Sequence, residues 1–129
     1  VSDFYVYVAG PMSGPAPEYL ANCANLTVVS RALMDDGLVP INPAADLLEG
    51  LVSVRALTVA EYQRRSIALL RLLQGRPGCM LVTRNKHDDG RVSEGVAAEI
   101  AEAKRLGIPV LTSIVAVLLL VQRLAGVAP

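Results

Sequence analysis

The chain has no excess charge of either sign: Lys and Arg together number 12, and so do Asp and Glu, in 129 residues. A balanced surface gives no electrostatic footprint for a nucleic-acid polymer or an anionic membrane, so neither is expected as a partner. Tryptophan is absent. The two cysteines, Cys23 and Cys79, stand far apart without metal-ligand spacing and read as buried thiols in a reducing compartment. No metal and no cofactor is expected. The longest nearly apolar run, IPVLTSIVAVLLLV, is too short and too interrupted to span a bilayer. No basic segment precedes the first apolar run, so a secretory signal is not expected and a cytoplasmic location is. Repeats and low-complexity tracts are missing as well, and the length suits one domain with one core.

What is present is an alternation of short apolar runs with helical periodicity. Residues 4–9 (FYVYVA) read as a buried strand. EYLANCANLTVVSRALMDDG follows as a helix stopped by Gly37. LVPIN (38–42) is a short strand ended by Asn42-Pro43, and residues 43–54 read either as loop or as a short helix near 46–51. Thr58 caps a helix that runs to Gly75. CMLVT (79–83) is a strand, RNKHDDGR a polar loop, and Ser93 opens a helix that ends at Gly107. IPVLT is the next strand, and Ser113 caps a last helix through Leu124. Strands apolar on both faces and alternating with helices imply an open parallel sheet of four or five strands flanked by helices. Ligands of such sheets bind beyond the carboxyl ends of the strands, here the loops 10–17, 42–57, 84–95 and 112–113. The last helix is apolar nearly all round, which points to packing against a second copy and so to a homodimer or higher even oligomer.

Two stretches carry candidate chemistry. The first is AGPMSG after the first strand, where Gly10 and Gly14 permit close backbone approach. It is not the GxGxxG of dinucleotide binding, and taken alone it reads equally well as a turn. Tyr7 lies two residues from the strand end, where its hydroxyl can reach a cleft or simply join the core. The second stretch is VSEGVAAEIAEAKRLGIPV. Ser93 caps the helix, and the first turn presents unpaired N–H groups suited to an anion. Glu99 leans over the turn that holds position 95. That position is glycine, at a cost of about 1 kcal/mol relative to alanine, and the missing side chain leaves a notch beside the carboxylate. The competing reading makes Glu99 one more solvated acid beside Glu94 and Glu102.

YVAGPMSG, then a helix, then VPINPA, then S-x-G-x-x-x-E-x-x-x-A-x-x-x-G-I-P-V together resemble the nucleoside 2-deoxyribosyltransferase-like superfamily, in its small bacterial and phage branch. The likeness runs from about residue 4 to 112. It implies a Rossmann- or flavodoxin-like fold. It further implies that Glu99 is the nucleophile on the anomeric carbon of a nucleoside or nucleoside monophosphate, with Tyr7 holding its carboxylate. Ser93 resembles the serine with which nucleotide N-glycosidases hold a 5′-phosphate. By the same resemblance Ala9, Gly10, Pro11, Met12 and Gly14 line the pocket beside sugar and base, with Asn42, Ser66 and Gly95 also on the substrate.

The leaving base needs a proton, hence an acid of raised pKa. Relatives carry an aspartate in an R-R-D pattern, whereas this chain reads Arg64-Arg65-Ser66. Asp88 or Asp89 can substitute if their loop folds over the cleft, with Asp46 less suited; His87 reads as solvated with the rest of that loop. Ser66 also motivates a second hypothesis, a nucleotide-binding module without catalysis. A phosphoribohydrolase of the cytokinin-activating type lacks its PGGxGT-type loop here. A flavodoxin-like electron carrier lacks its hydroxyl-rich phosphate cradle.

Overall fold

Five residues, Tyr5–Ala9, form the strand β1 at the centre of the molecule. The computed structural model describes residues 3–12, 14, 16–52 and 57–126. Helix α1 (Ala16–Asp35) leads to strand β2 (Val39–Ile41), a single 3-10 turn (Pro43–Ala45) and the short helix α2 (Asp46–Val52). The 43–54 stretch is thus helical through Val52, and residues 53–54 lie outside the described residues. Helix α3 (Val59–Arg71), strand β3 (Gly78–Val82), helix α4 (Glu94–Arg105), strand β4 (Val110–Leu111) and helix α5 (Ile114–Leu124) complete the chain. The four strands make one all-parallel sheet in the order β2-β1-β3-β4, as an open α/β, Rossmann-like arrangement requires. Among the described residues no helix is long and apolar enough to cross a membrane.

Alternation along β1 divides the core in two. Phe4, Val6 and Val8 meet Cys23, Leu26 and Leu33 of α1 and Val117 and Leu120 of α5 on one face. Tyr7 and Ala9 meet Leu70 of α3 and Val96 and Ala103 of α4 on the other. Because β1 is covered on both faces, both parities of its sequence must be apolar, which is why it reads as a continuous run. Cys23 and Cys79 are both free and buried. Helix α5 commits Val117 and Leu120 to the core, while Val115, Leu119 and Leu124 stay exposed.

The helix boundaries follow local chemistry. Thr58, Ser93 and Ser113 each accept a hydrogen bond from a backbone N–H of the first turn they cap. Helix α4 stops at Gly107, whose φ of 73° only glycine adopts readily; Ile108 N–H then bonds back to Ala103 O at 2.9 Å. The chain leaves β1 toward one neighbour through α1 and returns on the other side to β3. The carboxyl ends of β1 and β3 therefore flank a topological switch point, where such sheets open a crevice.

Gly10 ends β1 at this crevice, and its lack of a side chain is demanded by the protein itself. A Cβ there would lie 2.5 Å from Thr83 Oγ1 and 2.9 Å from Leu26 Cδ2. Thr83 Oγ1 is in turn held by donating to Ala9 O at 3.0 Å. Gly10→Ala is therefore expected to destabilise the fold by about 1–3 kcal/mol through overpacking, read as a lowered urea midpoint. An unchanged midpoint would show that this contact is slack.

Candidate functional site

A cavity of about 590 Å³ opens at the switch point, between the β1 end, α2, α3 and the start of α4. Its α3 wall is Val59, Tyr62, Gln63 and Ser66, a single helical face at the spacing i, i+3, i+4, i+7. The same stripe continues as Leu70 and Leu73 in the core. Helix α4 behaves alike: Val96, Glu99 and Ala103 form its buried stripe, and Val96 and Glu99 line the cavity. Where each apolar stripe turns polar, the helix has passed from core to cavity.

Glu99 is only 7% exposed, and among the described residues no cation perturbs it and its Oε2 has no hydrogen-bond partner. The Tyr7 hydroxyl, fully buried, is likewise unpartnered by strict geometry, yet it approaches the Glu99 carboxylate closely enough to affect its ionisation. Burial pushes the Glu99 pKa up to about 7, against smaller opposing effects from Tyr7 and Gln63. Burial and then the charge of Glu99 push the Tyr7 phenol far above its ordinary range. Unmet buried donors and acceptors cost about 1–3 kcal/mol each, and native proteins keep them mainly where something else is to be bound.

The space beside Gly95 is filled differently from the notch expected at Glu99. A Cβ on Gly95 would lie 2.8 Å from Gln63 Oε1, and Gln63 Nε2 lies 3.5 Å from Gly95 O. The glycine thus accommodates the end of a flexible side chain from α3, which a ligand has to share or displace. Ser93 Oγ accepts from Val96 N at 3.3 Å, and its own N–H donates to Asn85 O at 2.9 Å. Ser93, Glu94, Gly95 and Val96 all line the cavity, so the amino end of α4 and its positive dipole end face inward.

The acids separate. Asp88 is held by Arg84 Nη1 at 2.7 Å and Asp89 by Arg91 Nε at 2.7 Å; both are exposed and neither lines the cavity. The loop instead brings His87 to the cavity, with Arg91 exposed at its edge, the two joined by His87 N–H donating to Arg91 O at 2.8 Å. His87 is therefore half-buried against the cavity and not free in solvent, and its Nδ1 has no partner among the described residues. Asp46, 7% exposed, lines the same cavity as Glu99 and Ser66. Its Oδ1 accepts from Arg65 Nη2, while Arg65 Nη1 bridges both Glu49 oxygens at 2.7 and 2.8 Å. Burial raises the Asp46 pKa, and Arg65 only partly offsets it.

Of the other expected substrate contacts, Gly10, Met12, Ser66, Ser93 and Gly95 line the cavity. Ala9 and Pro11 are buried behind it, Gly14 is exposed outside it, and Asn42 is engaged as the cap of the 3-10 turn, accepting from Ala44 N at 2.9 Å. Tyr19, Tyr62, Gln63 and Arg91 line it without having been singled out. The i, i+3, i+4, i+7 pattern from Val59 to Ser66 was the available signal for two of these. Among the described residues no group of His, Cys, Asp and Glu is arranged to hold a metal ion. In comparison with known proteins the chain is matched by no family model, by no curated protein and by no solved structure.

The displaced Glu99 pKa carries a stability consequence. The folded carboxyl keeps its proton to about pH 7 while the unfolded one loses it near 4.5. Its contribution is thus full below pH 4.5 and is lost progressively as pH rises to about 7, amounting to about 3 kcal/mol at about 1.4 kcal/mol per pKa unit. Glu99→Gln should remove this slope and make the protein more stable than the parent at pH 8 but not at pH 4.5, measured by urea unfolding. Equal stability of the two at pH 8 would mean that Glu99 is well solvated.

Proposed function

We propose that the chain cleaves the N-glycosidic bond of a nucleoside 5′-monophosphate, with Glu99 attacking the anomeric carbon, as its resemblance to the nucleoside 2-deoxyribosyltransferase-like superfamily implies. The observation that carries this reading is a buried carboxylate with no cation beside it, aimed with the Tyr7 hydroxyl into a cavity that has a helix amino end in its wall. Cleavage of a glycosidic bond builds positive charge on the sugar. A desolvated anion is most valuable against such charge and can trap it as a covalent ester.

The spacing supports a nucleotide over a free nucleoside. Six residues of helix separate Ser93 from Glu99, a rise of about 9 Å, and Glu99 leans back toward the amino end. A furanose with its exocyclic methylene bridges that span, phosphate at the helix end and anomeric carbon at the carboxylate. Arg91 and His87 flank the phosphate end. Tyr19, Tyr62 and Met12 offer flat and apolar surface for the base. The second reading, binding without turnover, draws on Ser66, which cannot donate a proton at neutral pH, and on Gln63 filling the space beside Gly95.

Incubation with a mixed pool of nucleoside monophosphates, followed by chromatography, is expected to release free base, and Glu99→Gln to abolish release. Thermal stabilisation by nucleotides without any base release supports the binding module instead. Neither effect with any nucleotide removes both readings. Exposed Val115, Leu119 and Leu124 on α5 support the reading of a homodimer or higher even oligomer. Light scattering is expected to return at least twice the chain mass, and a monomer at micromolar concentration would end that reading.

A further inference from the structure

Resting on the glycosidase reading above, the geometry points to Asp46 as the group that protonates the departing base, standing in for the carboxylate that position 66 lacks. Four observations place it there. Asp46 lines the same cavity as Glu99 and Ser66, and it is nine-tenths buried. It bonds to Arg65, the residue before Ser66, so its carboxylate sits across the α2–α3 seam from the serine. Tyr7 experiences the charge of both Glu99 and Asp46 and the hydroxyl of Ser66, which puts these three groups around one phenol. Asp88 and Asp89 are turned outward onto their own arginines.

The groups facing Asp46 are Arg65 from α3, Glu49 from its own helix, Tyr7 from β1, and Tyr19 and Cys23 from α1. Arg65 would ordinarily hold an aspartate ionised. Here Glu49 engages the same guanidinium through both oxygens, so a single positive charge is divided between two carboxylates. Burial then prevails, and Asp46 holds a proton above the usual aspartate range. In the free protein Glu99 holds its proton to about pH 7, and burial raises Asp46 as well. The productive arrangement has Glu99 ionised and Asp46 protonated. A base seated there further desolvates the carboxyl and offers it an acceptor, while cationic character at the sugar favours ionised Glu99.

The first step then balances. A Glu99 oxygen forms a bond to C1′, the C1′–N bond breaks with its electron pair going to the base, and the Asp46 proton moves to a ring nitrogen or exocyclic oxygen of that base. In the second step water adds to C1′, its proton passes to the Asp46 carboxylate, and Glu99 departs as carboxylate.

The test compares an ordinary purine 5′-monophosphate with its 7-methylated form, whose base is already cationic and leaves without an added proton. Asp46→Asn should lose about 10²- to 10⁴-fold in kcat/KM, which reports the step that releases the base, on the ordinary nucleotide and stay within about threefold of the parent in kcat/KM on the methylated one, where only the later water step is slowed. Glu99→Gln should lose both. The pH profiles should also part. On the ordinary nucleotide the parent's kcat/KM, needing ionised Glu99 and protonated Asp46, should be bell-shaped, whereas Asp46→Asn, needing only ionised Glu99, should rise through about pH 7 and stay level above it. Adding Ser66→Asp to Asp46→Asn should recover activity on the ordinary nucleotide, which a merely misfolded variant would not do. Equal loss on both substrates with no recovery, or no loss on either, overturns Asp46 as the acid while leaving the glycosidase reading intact. A parent protein that cleaves neither nucleotide overturns the glycosidase reading and Asp46 with it.

Discussion

Glu99 occupies a position on α4 that helix periodicity assigns to the core. It shares the buried stripe with Val96 and Ala103, and it sits beside a phenol whose hydroxyl has no better partner. A carboxylate there is hard to ionise, and no arginine or lysine is supplied to relieve it. The tension is tolerated because the rest of the fold fixes both groups independently. Tyr7 is held in the middle of a strand paired on both sides, at Ile41 and Met80, and Glu99 sits between two turns of a capped helix. Neither can relax toward solvent without disturbing the sheet.

The cavity follows from how two helices leave that core. On α3 the stripe that begins as Leu73 and Leu70 becomes Ser66, Gln63 and Tyr62 toward the amino end. On α4 the stripe ends at a serine cap whose helix dipole points inward. Both helices present their amino ends to the carboxyl edge of a parallel sheet, because a strand–helix crossover allows no other direction. The same geometry that makes the sheet therefore gathers positive dipole ends at one rim. That rim therefore carries positive partial charge even though the chain as a whole carries no net charge.

Much of this was legible in the sequence, and the limits have physical causes. The caps Thr58, Ser93 and Ser113 and the stop at Gly107 depend on contacts within five residues, so they could be read directly. The open parallel sheet was legible because its strands are apolar on both faces, also visible locally, whereas the order β2-β1-β3-β4 came only with the structure. The filling of the space beside Gly95 was not legible, because its occupant Gln63 lies 32 residues away on another helix. The same holds for Gly10, whose neighbours Thr83 and Leu26 come from β3 and α1. A charged loop such as 84–91 reads as solvated from composition, and for Asp88 and Asp89 that is where the structure leaves them. His87 reaches the cavity, and Arg91 its edge, because backbone bonds, His87 N–H to Arg91 O and Gly90 N–H to His87 O, fold the loop into a tight turn.

Burial alone does not assign roles to the two cavity acids, since it raises both Glu99 and Asp46. What separates them is their company. Glu99 faces neutral groups, a phenol and an amide, which stabilise its anion only through hydrogen bonding. Asp46 faces a guanidinium that is already committed to Glu49. If the proposed reaction occurs, positive charge arising on the sugar acts with least competition on Glu99, because among the described residues no fixed cation perturbs it. At Asp46 the same new charge meets a carboxyl partly compensated by Arg65. On the proposed reading, a transition state with cationic sugar favours ionised Glu99 and leaves Asp46 as the acid that keeps its proton. Environments that raise both acids in the empty cavity still divide them once charge develops between them.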